Sequence, residues 1–385
     1  MGSMITLGIG GLELDWGKNN FYNNHSILFK STDIKNTSYY YIGDIVEYKK
    51  GLSRKIYEIK RRLDLLGYHP KVLKNRYEKH LQELSCCPEV LLTYEEFYRV
   101  IINIDISKIE PKYLFQQSEF NKEVNLLEIF ENMNPYITLR ILAENPLNNE
   151  QDVYWSYSDI IEGGWAEEKE VLKNLDKGAE ILIVTEGSSD TNILKKGLDM
   201  LYPDIADFFC FVDMKENYPF AGDGNLFNFC RGLTSIRIKN DILVIFDNDV
   251  AGVRQYNKAR DLDTPNNMHI TKLPIHKDFE NFQTIGPDER SRTSNINGSA
   301  VSIECFLDHN YRTEYAPCIR WTSYNKNLKL YQGAMIKKDH YTKKFLELKK
   351  TDTEYDFSKI KYLIDYLYKE WLENTILQAH ANSAG

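Results

Sequence analysis

Two apolar stretches that each end in acidic residues decide the fold: Ile181 to Asp190 reads ILIVTEGSSD, and Asp241 to Gly252 reads DILVIFDNDVAG. Each begins as a β-branched run of strand length flanked by helix-compatible segments, a pattern typical of buried strands in a parallel sheet. Glu186, Asp247 and Asp249 come directly after these runs. Because ligands bind at the carboxyl ends of strands in open α/β sheets, we expect the three carboxylates to share one site. Gathered carboxylates repel one another unless a cation lies between them, and hard oxygen ligands suit Mg²⁺ or Mn²⁺.

The same acids also have a purely structural interpretation. Glu186 could favour the N-terminus of a helix predicted from Ser189 to Leu201, where the helix dipole stabilises negative charge. Asp247 and Asp249 could be turn or N-cap residues. Because the acids occur in order, each after a β-branched run, their structural context favours the metal site over these alternatives.

The order of these motifs resembles the TOPRIM domain, which topoisomerases, DnaG-type primases and overcoming-lysogenization-defect nucleases share. In that family Glu-Gly follows the first strand, and D-x-D with Ala-Gly follows a later one; here these are Glu186-Gly187 and Asp247 to Gly252. Phe208 to Asp213 fits the strand between them. The resemblance implies an α/β TOPRIM fold, which is a mostly parallel sheet flanked by helices. It also implies that the three acids are metal ligands and catalytic residues.

The N-terminal part resembles the domain that precedes TOPRIM in the bacterial HEPN/Toprim-associated group. The resemblance rests on Ile9 to Asn19 (IGGLELDWGKN) and on Arg62 to Tyr68 (RLDLLGY). Apolar residues that alternate on both sides of Gly10-Gly11 predict a β-hairpin. Segments such as Ser53 to Leu66 predict helices. We therefore expect a largely helical N-terminal domain over residues 1–150, which ends in the polar linker Glu144 to Gln151.

HEPN ribonucleases carry an R-x4-6-H catalytic motif, and this chain has no close match to it. In the nearest segment, Arg76 to His80, only three residues separate the arginine from the histidine. Residues four apart share a helix face, but the spacing departs from the family, so we predict that Arg76 and His80 are surface residues. We interpret the N-terminal domain as a structural module that binds a protein partner or forms a homo-oligomer.

Further site residues are implied downstream of the two motifs. Glu304 lies where the group has an acid and is implied as a fourth metal ligand; a solvent-facing helix residue is the alternative. Lys338, which follows Tyr331-Gln332-Gly333, aligns with the family lysine and is implied to stabilise transition-state charge. We expect a TOPRIM domain over residues 175–310 and a basic helical C-terminal extension over 311–385 that completes the site. The polar segment Gln283 to Gly298 predicts a loop.

Charge is unevenly distributed along the chain. The formal net charge is -8, yet Arg312 to Lys350 holds ten basic and three acidic residues. Aromatic residues are interleaved with these basic residues, and this composition is typical of a groove for single-stranded nucleic acid, whether DNA or RNA. We take Arg320, Lys343 and Lys344 as candidate contacts. The alternative is a solvated helix face with core aromatics; the rings concerned are Tyr315, Trp321, Tyr324, Tyr331 and Tyr341.

Composition also excludes several classes. No run of eighteen apolar residues predicts a membrane span, and no apolar segment after a basic start predicts a signal peptide. The six cysteines lack zinc spacing and are predicted as small thiols in a reducing cytoplasm, with Cys210 in a buried strand. We therefore expect a cytoplasmic protein that does not associate with membranes.

These patterns together predict a nuclease that uses Mg²⁺ or Mn²⁺ to cleave phosphodiester bonds of DNA or RNA. The resemblance further implies an effector of bacterial antiphage defence. The alternative is a non-catalytic TOPRIM module that binds nucleic acid or a partner, as a sensor or toxin subunit. Convergence of Glu186, Asp247 and Asp249 in space would favour the enzyme, and splayed carboxylates would favour the binding module.

Overall fold

The computed structural model divides the chain into two units, each built around its own β-sheet. The structure describes residues 2–41, 45–84, 92–109, 133–178, 180–212, 224–236, 238–326 and 328–383. The first unit comprises Met1–Ala179 and Thr375–Gly385, and the second comprises Glu180–Asn374. No helix in these described ranges is long and apolar enough to cross a membrane.

The first unit contains a five-stranded antiparallel sheet in the order β2-β1-β5-β4-β3. Its strands are β1 (Met4–Ile9), β2 (Leu12–Lys18), β3 (Ile34–Tyr41), β4 (Ile45–Lys55) and β5 (Asp152–Ser156). Its described α-helices are α1 (Ile56–Leu63), α2 (Leu73–Glu83), α3 (Tyr94–Ile102), α4 (Pro135–Leu142), α5 (Ser158–Glu162) and α6 (Glu168–Val171). The predicted hairpin at Gly10-Gly11 is confirmed, because Ile9 pairs with Leu12 across it.

The first unit differs from the largely helical domain that the sequence predicted for residues 1–150. Strands β3 and β4 pair along eight positions, and β4 occupies the start of the predicted helix before α1 begins at Ile56. β5 lies in the sheet between β1 and β4, so the first unit continues past the predicted linker to residue 179. The β3 sequence IKNTSYYY is polar and lies at the sheet edge, where the apolar alternation of a half-buried strand is weak.

The two charged residues of the motif RLDLLGY, Arg62 and Asp64, are tied into the interior of the first unit. Arg62 is fully buried, and its guanidinium donates to the backbone carbonyl of Ile27 at 2.6 Å. The Asp64 carboxylate accepts from Arg140 Nε at 2.7 Å. Buried charges are costly unless they are paired, so these contacts explain why such residues are tolerated in a core.

The second unit contains a four-stranded parallel sheet in the order β10-β8-β6-β7, which confirms the predicted parallel sheet. Its strands are β6 (Ile181–Val184), β7 (Phe209–Phe211), β8 (Asp241–Phe246) and β10 (Met268–Lys272). The neighbouring helices are α7 (Ser188–Leu201), α8 (Asn225–Ile236) and α9 (Val250–Arg260). On one sheet face Val244 and Phe246 pack in a cluster with Leu226, whereas Leu243 on the other face lies near Leu198. Apolar packing on both faces accounts for the unbroken apolar runs.

Beside this sheet lie short strands that the sequence did not predict. β9 (Asn248–Asp249) pairs with β13 (Ala300–Val301), and a mixed sheet has the order β12-β11-β14-β15. Its strands are β11 (Phe282–Ile285), β12 (Ser291–Ser294), β14 (Ile319–Asn325) and β15 (Leu330–Met335). The prediction of a loop from Gln283 to Gly298 is therefore wrong, since β11 and β12 form a hairpin. Strand β12 is polar and exposed, so no apolar alternation in the sequence marks it as a strand.

The C-terminal extension is not purely helical, because the β14–β15 hairpin precedes its helices α10 (Lys338–Leu346) and α11 (Ser358–Ser383).

The prediction that Cys210 lies in a buried strand is wrong, because its side chain is exposed on β7, which is an edge strand. Cys86, Cys87 and Asp213 lie outside the described residues.

Candidate functional site

The carboxyl ends of β6 and β8 are adjacent, since Val184 pairs with Val244. Glu186 and Asp247 follow these ends and are in contact: the Asp247 backbone N–H donates to Glu186 Oε1 at 3.4 Å. Glu186 is exposed, whereas Asp247 is half-buried. The structure therefore brings these two predicted residues together at the predicted edge of the sheet.

Asp190 is a further carboxylate at this edge, and the sequence analysis did not assign it. It lies in the first turn of α7 and accepts a hydrogen bond from the Gly187 N–H at 2.9 Å. Burial, together with the negative charges of Glu304 and Glu186, raises the pKa of Asp190 to about 7. A signal was present, because Asp190 lies in the same stretch as Glu186, four residues after it.

Asp247 lies at the electrostatic centre of the site. Burial raises its pKa well above the usual range, and the charges of Asp190, Glu186, Asp249 and Glu304 act in the same direction. We call these five residues the acidic cluster. Like charges in partly desolvated surroundings destabilise the fully ionised state, and a bound cation is one way to relieve this repulsion.

Asp249 belongs to the acidic cluster and is also the N-cap of α9. Its Oδ1 accepts from the Gly252 N–H at 2.7 Å, and its Oδ2 accepts from Gln332 Nε2 at 2.5 Å. Gln332 Oε1 in turn accepts from the Ala251 N–H at 3.1 Å. The N-cap interpretation is thus confirmed for Asp249. It does not exclude ligation, because each carboxylate oxygen keeps further acceptor capacity.

Position 252, three residues after the D-x-D motif, requires glycine because the backbone of Asp247 approaches it closely. A Cβ atom at this position would lie 2.4 Å from the backbone carbonyl oxygen of Asp247. The first turn of α9 packs directly on the segment that carries the two aspartates, and only glycine fits there without a backbone shift. This contact holds Asp247 at the end of β8.

Glu304 is almost fully buried, with 1% of its surface exposed, so the solvent-facing alternative is wrong. It lies on the short 3-10 helix Ile303–Phe306, and its Oε2 accepts from Ser302 Oγ at 2.7 Å. Its Oε1 is 4.0 Å from Lys338 Nζ, at the start of α10. The neighbouring Lys337 has its ammonium 3.1 Å from the ring centre of Tyr315. Of the two lysines, Lys338 is the one beside Glu304 of the acidic cluster.

Lys272 is a second residue that the sequence analysis missed. It is the last residue of β10, and its Nζ donates to Asn248 Oδ1 at 3.0 Å. Asn248 stands between the two aspartates of the D-x-D motif and is buried. Burial lowers the pKa of Lys272. The contact fixes the D-x-D segment from the β10 side, which only the sheet order reveals.

The three predicted nucleic-acid contacts lie in different surroundings. Arg320 on β14 pairs with Glu289 at 2.6 Å. Lys343 on α10 lies 3.9 Å from Glu347, and Lys344 is half-buried on the same helix.

Arg76 is exposed, as predicted, and its Nε donates to the Gly67 carbonyl at 3.2 Å. His80 is half-buried on the same helix, α2.

The donor chemistry of the acidic cluster fits a hard divalent cation, because all five side chains are carboxylates. Its geometry is looser than a formed metal centre: within the described ranges, no three His, Cys, Asp or Glu side chains are arranged to hold a metal ion. What supports a fit is the raised pKa of both Asp190 and Asp247, to which carboxylate neighbours contribute.

Comparison with known proteins gives one match. No curated protein and no solved structure matches this chain significantly. Residues 1–179 match the family model described as HEPN/Toprim N-terminal domain 1, and this range coincides with the N-terminal segment of the first unit. The match supports the resemblance of residues 1–179 to the N-terminal domain of the HEPN/Toprim-associated group.

Proposed function

We propose that the second unit is a TOPRIM-type nuclease that cleaves phosphodiester bonds of nucleic acid with the help of Mg²⁺ or Mn²⁺. The observation that carries the proposal is the contact of the Asp247 N–H with Glu186 Oε1 at 3.4 Å, beside which the charges of Asp190 and Glu186 raise the pKa of Asp247. Strongly perturbed carboxylates at the carboxyl end of a parallel sheet are an expected mark of a functional site.

In this proposal Glu186, Asp247, Asp249 and Glu304 hold the cation, and Asp190 joins them. A bound divalent cation supplies charge neutralisation at the scissile phosphate and a more acidic water. In the alternative assignment Glu186, the most exposed of the cluster, accepts a proton from water at the open side instead of holding the cation.

The remaining side chains act by position and charge. Gln332 and Lys272 hold Asp249 and Asn248 in place through the contacts at 2.5 and 3.0 Å. Lys338, 52% exposed beside the buried Glu304, offers an ammonium group to negative charge that builds on the phosphate. The site thus has anionic and cationic parts, as phosphoryl chemistry requires.

Cleavage of plasmid, linear DNA and total RNA by the purified protein, with Mg²⁺, Mn²⁺ or EDTA, tests the proposal. Glu186→Ala and Asp247→Ala should each abolish cleavage and leave the circular dichroism spectrum unchanged. Without metal, Asp247→Ala should be at least as stable as the wild type, since it removes a repelled carboxylate. Asp261→Ala, an exposed acid at the end of α9, is the control and should retain activity. Retained activity in either cluster variant would contradict the proposed site.

A non-catalytic TOPRIM module is the second candidate, and one observation favours it. In the described part of the chain the carboxylates are not gathered into a formed metal group, and both Asp249 oxygens already accept hydrogen bonds. This candidate expects nucleic-acid or partner binding without cleavage under any metal condition. The same assay separates the two.

Two broader roles also follow from the resemblance. The first unit is proposed to bind a protein partner or a second copy of the chain, which light scattering after gel filtration would test. The whole chain is proposed to act as an effector of antiphage defence. Phage plating on cells that express the wild type or Asp247→Ala would test that role, and equal plaque counts would contradict it.

A further inference from the structure

The β14–β15 hairpin of the second unit exposes three aromatic rings in a row. The ring centres of Trp321 and Tyr331 are 6.4 Å apart, and those of Tyr331 and Tyr324 are 4.9 Å apart. Tyr324 and Tyr331 are 49% and 46% exposed, and Trp321 is half-buried. We call these three residues the aromatic row.

A β-bulge creates the aromatic row. Trp321 pairs with Gly333 and Tyr324 pairs with Tyr331, so three steps along β14 match two steps along β15. The extra residue is Thr322, whose hydroxyl donates to the Gln332 carbonyl at 3.0 Å. Side chains alternate in a regular strand, so without the bulge Trp321 and Tyr324 would point to opposite faces.

Gly333 makes room for the first ring of the row. A Cβ atom at this position would lie 3.0 Å from Cε3 of Trp321 and 2.6 Å from Cγ2 of Ile319. Ile319, Ala300 and the indole of Trp321 together occupy the space that a side chain at Gly333 would need. The hairpin sequence thus specifies the ring arrangement at two points, the bulge and the glycine.

The segment that carries the aromatic row has basic residues and no acidic ones. From Tyr315 to Lys338 the chain has five basic residues and no acidic residue. Lys326 and Lys329 are exposed in the hairpin turn, and among the described residues neither has a carboxylate within ion-pair distance. A polyanion complements this surface, whereas apolar protein faces or basic peptides do not.

Strand β15, which carries Tyr331, also contacts the acidic cluster. Gln332 follows Tyr331 on this strand. Its side-chain Nε2 donates to Asp249, and its side-chain Oε1 accepts from the Ala251 N–H at the N-terminus of α9. The hairpin that carries the rings therefore also contacts Asp249 of the acidic cluster.

We propose that the aromatic row is a stacking platform that presents single-stranded nucleic acid to the acidic cluster. The inference rests on the proposed nuclease function and names its substrate class. Stacking on protein rings requires unpaired bases, because in a duplex the faces of the bases already stack on neighbouring base pairs. The lysines of the turn bind the backbone phosphates.

Binding of a fluorescein-labelled single strand and of its duplex, measured by anisotropy in EDTA, tests the platform separately from cleavage. Trp321→Ala and Tyr331→Ala should each raise the Kd for the single strand by about fivefold to a hundredfold, the usual effect of removing one stacking ring. Trp321→Phe and Tyr331→Phe retain a ring and should bind nearly as the wild type does, which separates stacking from misfolding. Tyr57→Ala, equally exposed at 49% in the first unit, is the control and should leave the Kd unchanged.

Unchanged Kd values in both alanine variants would overturn the platform, as would a duplex that binds as tightly as the single strand. Loss of binding in the phenylalanine variants as well as the alanine variants would also overturn it. Ring-dependent binding without cleavage in Mg²⁺ or Mn²⁺ would support the platform and contradict the nuclease. Cleavage by alanine variants whose Kd is unchanged would support the nuclease and contradict the platform.

Discussion

Buried carboxylates have opposite surroundings in the two units. Asp64 in the first unit lies 2.7 Å from the guanidinium of Arg140, so its charge has a partner. Asp190 and Asp247 in the second unit are surrounded mainly by other carboxylates, and their pKa values are raised by burial and then by those neighbours. A fold gains no stability from such repulsion. This repulsion at the end of a parallel sheet is a reason for proposing that a cation binds there.

Glu13 on β2 provides a pH test of burial in the first unit. Burial, with a contribution from the charge of Asp15, raises its pKa from 4.5 to about 7. Between these values the folded protein keeps a proton that the unfolded chain releases, so stability should fall as pH rises from 4.5 to about 7 and then level off. Glu13→Gln should remove this component and be more stable than the wild type at pH 8, by up to about 3 kcal/mol.

Urea unfolding of both proteins across this pH range would measure the effect. Glu354→Gln, which changes an exposed glutamate of the second unit, is the control and should not alter the pH dependence. If wild type and Glu13→Gln lose stability in parallel as pH rises, Glu13 is not the source of the loss.

Two glycine-to-alanine changes in the second unit should have opposite effects. Gly252→Ala places a methyl group 2.4 Å from the Asp247 carbonyl and should destabilise by about 1–3 kcal/mol, because backbone must move. Gly232 lies within α8 with open space around it, so Gly232→Ala should stabilise by about 1 kcal/mol. Thermal unfolding measures both. A neutral Gly252→Ala would mean that α9 does not pack on the D-x-D segment as described.

At the scale of the element, the sequence predicted what local pattern determines. The runs of β6 and β8 are apolar on both faces and lead into acids, so their strands and the positions of Glu186 and Asp247 followed directly. Strands β3 and β12 are polar and lie at sheet edges, so no apolar period revealed them. The burial of Glu304 and the contact of Lys272 with Asn248 depend on tertiary packing, which local patterns do not encode.

The start of α10 separates two adjacent lysines, and this division leads to a kinetic prediction. Lys338 lies beside Glu304, whereas Lys337 has a left-handed backbone and contacts the Tyr315 ring. If the Lys338 ammonium stabilises transition-state charge, Lys338→Ala should lower kcat by about 10²–10³ with little change in KM.

Steady-state cleavage kinetics of Lys338→Ala and Lys337→Ala measure this difference. Lys337→Ala should leave kcat nearly unchanged, because the Lys337 ammonium contacts the Tyr315 ring, whereas that of Lys338 lies beside Glu304. A greater loss of kcat in Lys337→Ala would reverse the assignment of the two lysines. An increase in KM alone, in both variants, would place the lysines in substrate binding.

At the scale of the whole molecule, charge is segregated rather than balanced. The chain carries a net charge of -8, yet the segment from Arg312 to Lys350 has ten basic and three acidic residues. A polyanion is repelled by the chain as a whole and attracted by this segment, so binding should depend strongly on a few cations. The segment is divided between the β14–β15 hairpin and α10, and their contributions can be measured separately.

The salt dependence of binding tests whether α10 binds nucleic acid. Each lysine that neutralises a phosphate of a single strand releases counterions, so Lys343→Glu and Lys344→Glu should each flatten the plot of log Kd against log salt by about 0.7. Lys369→Glu is a matched control, because Lys369 is 72% exposed and lies 3.7 Å from Glu373, much as Lys343 is 77% exposed and 3.9 Å from Glu347. The control should weaken binding through net charge alone and keep the slope. If all three variants shift the Kd equally and share the wild-type slope, α10 is a solvated face, and nucleic-acid binding by the second unit depends on the hairpin.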